Sequence, residues 1–155
     1  MNIKIDADRH LDIATPFARA RASVSDVAAV MRRFPKIRDF QAQGGDVYLA
    51  RMEPISSQRA NISHEVSFAG AYSADAEQGV LQWRAVKGKG NAQLNGRLQL
   101  IDLGARGTQL RLSVTGELQD VPVPLLFRPV AGTFIQAKFG ALIDGFLEAT
   151  GDALA

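Results

Sequence analysis

The chain has 155 residues, of which 46% are hydrophobic and 22% charged, and its formal net charge is +2 at pH 7. This length and composition are typical of a globular chain with one sizeable core, so we predict a single domain over residues 1–155 and exclude extended disorder. The sequence has no cysteine, which excludes disulfide bonds, thiolate nucleophiles and cysteine-bound zinc.

Charge and hydropathy also bear on location and partners. A net charge of +2 does not indicate a nucleic-acid binder, because binding requires basic residues gathered on one face. The first ten residues lack the apolar stretch of a signal peptide. The closing segment carries Arg128, Lys138 and Asp144, which argues against a membrane span. We expect a soluble, cytoplasmic protein with no nucleic-acid partner and no stable membrane insertion.

The first predicted element is a strand. Apolar residues occupy odd positions from Ile3 to Phe17, interrupted by Arg9, which predicts one bent strand or two short ones that can continue to Ala22. The even positions carry an oxygen-rich row: Asp6, Asp8, His10 and Asp12. Alternate residues of a strand lie about 6–7 Å apart and cannot wrap one ion by themselves. We interpret the row as a solvated face and predict neither a metal site nor a cofactor.

A short helix follows. Ser23 and Asp26 have the spacing of a capping box, and Pro35 ends the helical pattern, with room for another short turn over residues 36–40. The densest basic cluster of the chain lies here and consists of Arg32, Arg33, Lys36 and Arg38. A solvated helix end is its ordinary interpretation, and a weak contact with an anionic surface is the alternative.

Five strand-like segments follow, separated by short polar turns typical of an antiparallel meander. They are Val47–Glu53, Arg59–Tyr72, Val80–Val86, Asn91–Leu103 and Thr108–Leu118. In the second, His64 shares the apolar face with Phe68, and in the third Trp83 lies on the apolar face. Burial of His64 would lower its pKa, and the side chain is either a polar group in a ligand cavity or a satisfied core histidine.

The last predicted element is a long helix that begins near Leu125 or after Pro129. It has a wide apolar arc that includes Phe134 and Leu142, and Gly151 is its natural end. Small residues recur every fourth position: Thr133, Ala137, Ala141, Gly145 and Ala149. This small-residue stripe marks either a tight seam against the sheet or a space left for a ligand.

The order of elements and two stretches of sequence resemble the START-like, helix-grip (SRPBCC) superfamily. Residues 21–27 resemble the strand-to-helix segment of that superfamily, with Val24 where proline is usual. Residues 120–129, Asp-Val-Pro-Val-Pro-Leu-Leu-Phe-Arg-Pro, resemble the segment before the closing helix in bacterial coenzyme-Q-binding and polyketide-cyclase-like members. The resemblance implies an α+β fold in which a curved antiparallel sheet of six to seven strands grips a long C-terminal helix, with one or two short helices after the first strand.

Three functional hypotheses follow. The first is non-catalytic binding or transport of a lipid, quinone or polyketide-like molecule between sheet and helix, with His64, Phe68, Trp83, Phe134 and Leu142 as ligand contacts. The second is a cyclase- or hydratase-type enzyme, which requires convergent polar side chains such as His64 with Arg84, Arg97 or Arg111. The third is a protein–protein interaction module with an exposed apolar patch near Phe34, Ile37 and Phe40. No catalytic residues are predicted, and binding is favoured over catalysis.

Overall fold

The computed structural model describes residues 1–58 and 61–155. Its main feature is a seven-stranded antiparallel sheet in the order β1-β9-β8-β7-β6-β3-β2. These strands are β1 (Ile3–Ile13), β2 (Ile37–Gly44), β3 (Val47–Met52), β6 (Ser67–Asp75), β7 (Val80–Gly90), β8 (Ala92–Asp102) and β9 (Thr108–Leu118). Two short strands, β4 (Ile55–Ser57) and β5 (Ile62–His64), pair with each other beside it.

The helices are few and unequal in length. After β1 come α1 (Phe17–Ala20), a 3-10 segment (Arg21–Ser25) and α2 (Val27–Met31). The long helix α3 (Arg128–Leu154) closes the chain after a 3-10 turn at Leu125–Phe127. The predicted α+β class, the seven-stranded sheet and the long C-terminal helix are therefore confirmed.

The strand β1 is a single strand, and its one charged inward position is accommodated by α3. Arg9 lies on the same side as Ile3 and Ile5, and its Nε is 3.5 Å from Asp144 Oδ1 on α3. Gly140 leaves room for this side chain, since a Cβ there would lie 3.0 Å from Arg9 Nη2. The side chains of Arg9 and Asp144 are about half exposed, so the ion pair contributes little to stability.

Two expectations about the helical region after β1 are wrong. The strand does not continue through Phe17 to Ala22. Pro16 takes the cap position of α1, and the chain is helical from Phe17 through Ser25. The cap of α2 is Asp26 and not Ser23: Asp26 Oδ1 accepts the Ala29 N–H at 3.1 Å. The Ser23 hydroxyl instead donates to the Ala20 carbonyl at 2.7 Å.

The predicted short turn at residues 36–40 is also wrong, because the chain reverses direction at Lys36 and enters β2. Lys36 has a left-handed backbone, with φ of 68°, and its carbonyl accepts the Glu53 N–H at 2.8 Å. Phe40 then pairs with Ala50 of β3. A left-handed residue breaks the helical repeat, which is why this segment joins the sheet.

The predicted strand Arg59–Tyr72 is divided, and its first two residues lie outside the described residues. β5 pairs with β4, whereas β6 pairs with β3 and β7, so the chain changes partner at residues 65–66. The Asn91 side chain bridges this break: its Oδ1 accepts the Ser67 N–H at 2.9 Å and its Nδ2 donates to the Glu65 carbonyl. The predicted turn at residues 54–57 contains β4, because it forms the partner of β5.

The helix α3 is a core helix. Its length and apolar composition are sufficient to cross a membrane, but one face is buried against the sheet. The buried residues of this face are Ala131, Ile135, Phe139, Gly140, Leu142, Ile143, Phe146, Leu147 and Thr150. The predicted apolar arc matches this set except for Phe134, which is half-buried.

Candidate ligand-binding site

A small cavity lies between the inner face of the sheet and α3. Every residue around it is apolar, and together they come from six strands, from α3 and from the segment between α2 and β2. They are Phe34, Ile37, Met52, Phe68, Trp83, Leu94, Val114, Phe139, Leu142 and Ile143. The sheet, α3 and the α2–β2 segment converge on this common space, so it is the candidate site.

The cavity is far too small for a ligand as it stands. Its volume is about 20 Å³, which is room for about one water molecule. Small-molecule sites usually measure about 300–1,000 Å³. A ligand could therefore be accommodated only if lining side chains move apart. The small volume argues against a preformed pocket.

The floor of the cavity is an indole ring held flat on the sheet. Trp83 on β7 pairs with Gly96 on β8, and a Cβ at Gly96 would overlap the six-membered part of the ring. A Cβ at Gly70 on β6 would lie 2.9 Å from Trp83 Cδ1. The two glycines thus form a slot for the ring, which stacks on Tyr72 at 5.5 Å between centroids.

Two buried polar groups accompany this aromatic floor. Within the described residues, neither the indole N–H of Trp83 nor the hydroxyl of Tyr72 has a hydrogen-bond partner. Burial raises the pKa of Tyr72 well above its usual value, so the hydroxyl stays protonated at neutral pH and can act as a donor but not as a base. An unpaired buried donor is costly, and of these two residues only Trp83 lines the cavity.

The structure brings three of the five predicted ligand contacts together: Phe68, Trp83 and Leu142 line the same cavity. The other two lie elsewhere. His64 lies on β5, which belongs to the small outlying sheet, so it does not continue the inner face of β6. Phe134 is half-buried one turn before Phe139, with Lys138 Nζ 5.4 Å from its ring centroid. The contact of these side chains with a ligand stays a prediction.

One wall of the cavity is the short segment Phe34–Ile37, which packs along α3. Phe34 stacks on Phe146 with 4.2 Å between ring centroids. Pro35 lies over Gly145, where a Cβ would be 2.7 Å from its Cγ. Both Phe34 and Ile37 are only half-buried, although they line the cavity. The segment therefore forms a partly exposed wall of the cavity.

A surface groove of about 240 Å³ lies directly outside this wall. It is lined by Lys36, Ile55, Ser56, Lys138, Ala141 and Leu142. Leu142 lines both the groove and the cavity and is 7% exposed, so its side chain is the partition between them. The groove and the cavity therefore meet at the side chain of Leu142.

The small-residue stripe does not face the sheet. Thr133, Ala137 and Ala141 are exposed, and Ala149 is half-exposed. Two residues of the stripe have roles that were not predicted. Gly145 makes room for Pro35, and the small side chain of Ala141 lines the groove. The expectation that the stripe leaves volume beneath the helix is wrong, because the side chains that face the sheet are the large ones.

The predicted basic cluster is dispersed by the fold. The Arg32 guanidinium donates to the Phe40 carbonyl at 3.4 Å, and Arg38 contacts Glu65 Oε1 at 3.4 Å. Arg33 is half-buried, and burial lowers its pKa. Lys36 alone of the four lines the groove.

The arginines that a cyclase would need point away from the cavity. Arg111 binds Asp8 through two hydrogen bonds of 3.1 and 2.6 Å, and Arg97 donates to the Gln82 side chain at 3.2 Å. Arg84 is exposed. The Arg111 pairing lowers the pKa of Asp8, and the Asp12 carboxylate accepts from Gln109 at 3.0 Å. The oxygen-rich row on β1 is thus a paired surface face.

Of the three residues whose exposure would favour a protein–protein role, Phe40 is buried, whereas Phe34 and Ile37 are half-buried and line the cavity. Exposed apolar side chains instead gather where the chain approaches α3. Leu125 is 78% exposed, Leu126 83% and Val130 56%. Met1, 39% exposed, lies beside them because its carbonyl accepts the Val121 N–H at 2.8 Å.

Comparison with solved structures identifies the fold. A START superfamily protein from Mycobacterium smegmatis superposes with a TM-score of 0.67 at 15% identity, covering 96% of each chain. The chain has the START-like, helix-grip fold. The Zhui aromatase/cyclase from Streptomyces sp. R1128 gives a TM-score of 0.64 at 12% identity, covering 97% of this chain and 93% of its own. Ara h 8.0201 gives 0.60 at 13% identity, covering 97% of both.

Sequence identities this low establish a shared fold but neither a shared ligand nor a shared activity. No protein-family model matches the sequence, and no curated protein matches it. In the START-like fold the sheet and α3 enclose the interior, which is where this chain has its cavity. Most of the lining was not predicted from the sequence, above all Met52, Leu94 and Val114, because ordinary core strands carry the same alternation.

Proposed function

We propose that the protein binds a hydrophobic small molecule, such as a lipid, quinone or polyketide-like compound, between its sheet and α3. The supporting observation is the wholly apolar cavity enclosed by ten side chains under α3. Apolar lining with a few polar donors is the usual character of small-molecule sites. The indole N–H of Trp83, which is one of the lining residues, has no hydrogen-bond partner among the described residues. We expect the protein to be soluble and cytoplasmic.

Binding requires the cavity to open. We place the opening at Leu142 and the Phe34–Ile37 segment, because Leu142 lines both the groove and the cavity and because Phe34 and Ile37 are half-buried. A ligand that displaces Phe34 would itself contact Phe146, and these apolar contacts replace the ring stacking that is lost. Because only open molecules bind, the observed affinity equals the affinity of the open form multiplied by the fraction of molecules that are open.

Binding is favoured over cyclase chemistry. A cyclase requires groups that exchange protons with the substrate, and none of the ten lining side chains that the structure describes titrates near neutral pH. His64 lies in the outlying sheet, and the three arginines lie on other surfaces. The Zhui protein is an aromatase/cyclase by name, but its resemblance at 12% identity extends only to the fold.

The intrinsic fluorescence of Trp83 tests the proposal, since this is the one tryptophan of the chain and it lines the cavity. Titration with dodecan-1-ol is expected to change the emission saturably. Val114→Phe fills the cavity from β9 and should abolish that change, whereas Val130→Phe makes the same substitution at an exposed site and should not. Thermal melting establishes that both variants fold.

Absence of saturable binding in the wild-type protein up to the solubility of the alcohol would contradict the proposal. So would equal binding by Val114→Phe, because the probe would then lie outside the cavity. Native mass spectrometry of the protein purified from its own host is expected to show a co-purifying hydrophobic molecule, and this mass should be absent from Val114→Phe.

A further inference from the structure

The groove outside Leu142 carries two lysines on opposite walls. Lys36 belongs to the Phe34–Ile37 segment and Lys138 to α3, and both line the groove. Each lysine is followed in sequence by a cavity residue: Ile37 follows Lys36, and Phe139 follows Lys138. Both walls therefore present a cation to the groove and an apolar side chain to the cavity, one residue apart.

The groove holds no compensating acid. Its other lining residues are Ile55, Ser56, Ala141 and Leu142, and none carries a charge. Among the described residues, no carboxylate lies within ion-pair distance of either lysine. The nearest acid on α3, Asp144, is paired with Arg9. The one aromatic contact given for Lys138 among the described residues is with Phe134, whose ring centroid lies 5.4 Å from Lys138 Nζ.

The backbone at Lys36 is unfavourable for a lysine. Its φ of 68° is the left-handed conformation, which costs a side-chain-bearing residue free energy that glycine does not lose. Such conformations recur at functional sites, where the side chain is retained for what it contacts. Glycine or asparagine would suit the turn better, so the turn does not explain the lysine.

We propose that the ligand is a single-chain amphiphile with an anionic head group, a carboxylate or a phosphate. The head group lies between Lys36 and Lys138, and the hydrocarbon tail passes Leu142 into the cavity. This inference rests on the proposed function and adds the chemical class of the ligand and its orientation. Charge-assisted hydrogen bonds from two ammonium groups hold the head group at the surface, where its charge stays partly hydrated.

Three probes with the same tail test the head group: dodecanoate, dodecyl phosphate and the uncharged dodecan-1-ol, each below its micellar concentration. Wild-type protein is expected to bind at least one anion roughly tenfold or more tightly than the alcohol, as charged hydrogen bonds of ordinary strength imply. The Lys36→Gln/Lys138→Gln variant should lose this difference and keep its affinity for the alcohol.

The matched control is Lys87→Gln/Lys89→Gln. It removes the same charge from exposed lysines of β7 that line neither the groove nor the cavity, and it should bind all three probes as the wild type does. A second variant, Lys36→Gly, should melt at a higher temperature because glycine relieves the left-handed strain, yet bind the anions more weakly. Weaker binding by a more stable protein cannot result from misfolding.

The outcomes separate the two proposals. Equal binding of anions and alcohol by the wild type, unchanged in the double variant, overturns the anionic head group while the proposed function stands. Failure of all three probes overturns both. Anion binding that survives Val114→Phe also overturns this inference, because the tail would then lie outside the cavity. Comparison of dodecanoate with dodecyl phosphate shows which anion the lysines prefer.

Discussion

Trp83 occupies a slot that exists only because two of its neighbours on the sheet lack side chains. The ring covers Gly96 directly and approaches Gly70, and it forms one wall of the cavity. Any side chain at position 96 must push the ring toward α3. The absence of a side chain at this position of β8 therefore controls both the packing of the core and the shape of the site.

Gly96→Ala is accordingly expected to destabilise the fold by about 1–3 kcal/mol, the usual cost of overpacking a filled core. Urea denaturation followed by circular dichroism measures the change. The same substitution should shift the Trp83 emission, because the ring leaves its slot. Unchanged stability together with unchanged emission would show that the slot has more room than the structure gives it.

His64 is half-buried near the N-terminus of the chain, and its Nε2 has no hydrogen-bond partner within the described residues. Burial lowers the pKa of His64 below its usual 6.5; the N-terminal ammonium lowers it further, and Asp120 opposes the shift. Since the unfolded chain binds this proton more readily than the folded one, stability is fully present above about pH 6.5 and falls as the pH drops through the folded pKa.

His64→Gln should therefore reduce the loss of thermal stability between about pH 7.5 and pH 5. Scanning calorimetry at both pH values measures it, with His10→Gln as the control, since His10 is exposed on β1. If the wild type and His64→Gln lose melting temperature equally, the proton taken up on acidification binds elsewhere.

At the scale of the elements, α3 contains glycines whose surroundings differ. Gly132 has no atom within 4 Å of an added Cβ, whereas at Gly145 the added Cβ lies 2.7 Å from Pro35. Both gain helix propensity when replaced by alanine, about 1 kcal/mol each. Only the second replacement must displace the Phe34–Ile37 segment.

Gly132→Ala is expected to stabilise the protein by up to about 1 kcal/mol, and Gly145→Ala to give no gain or a net loss. Equilibrium denaturation of the two variants provides the comparison, with each serving as the control for helix propensity in the other. A gain of similar size at both sites would mean that Pro35 moves freely and that the segment is not packed on α3.

The two lysines of the groove also depend on how elements meet. Lys36 belongs to the reversal that follows the predicted helix end at Pro35, and Lys138 belongs to the exposed side of the predicted long helix. Their approach follows from Pro35 lying on Gly145, which sets the segment beside α3. The predicted cluster of four basic residues shares only Lys36 with the observed groove.

At the scale of the whole molecule, a ligand that binds the folded form alone must raise its stability. At a ligand concentration of 100 times Kd the gain is about 2.7 kcal/mol. For a chain of this length that corresponds to roughly 5–11 °C in melting temperature. We expect such a shift from the probe that binds most tightly, measured by scanning calorimetry.

The Val114→Phe variant is the control for this shift and should melt at the same temperature with and without the probe. A shift of equal size in the variant would mean that the stabilising molecules bind at the surface. The exposed residues Leu125, Leu126 and Val130 are the apolar surface on which such binding would occur.

The sequence by itself determined the fold class and the identity of the long helix. Alternation at period two marked the strands, and the apolar arc from Ile135 to Leu147 marked the buried face of α3, because burial on one face imposes these periods wherever an element packs. It also singled out Phe68, Trp83 and Leu142. These three line the cavity, and each lies on a regular stretch whose faces can be counted.

The tertiary structure decided everything that depends on a change of partner or direction. His64 and Phe68 are four residues apart and were assigned to one face, but the chain leaves one sheet for another between them. Lys36 reverses the chain through a left-handed backbone that no pattern announces. The closed cavity and the groove arise from long-range contacts between Pro35 and Gly145 and at Leu142, and local periodicity carries no information about such contacts.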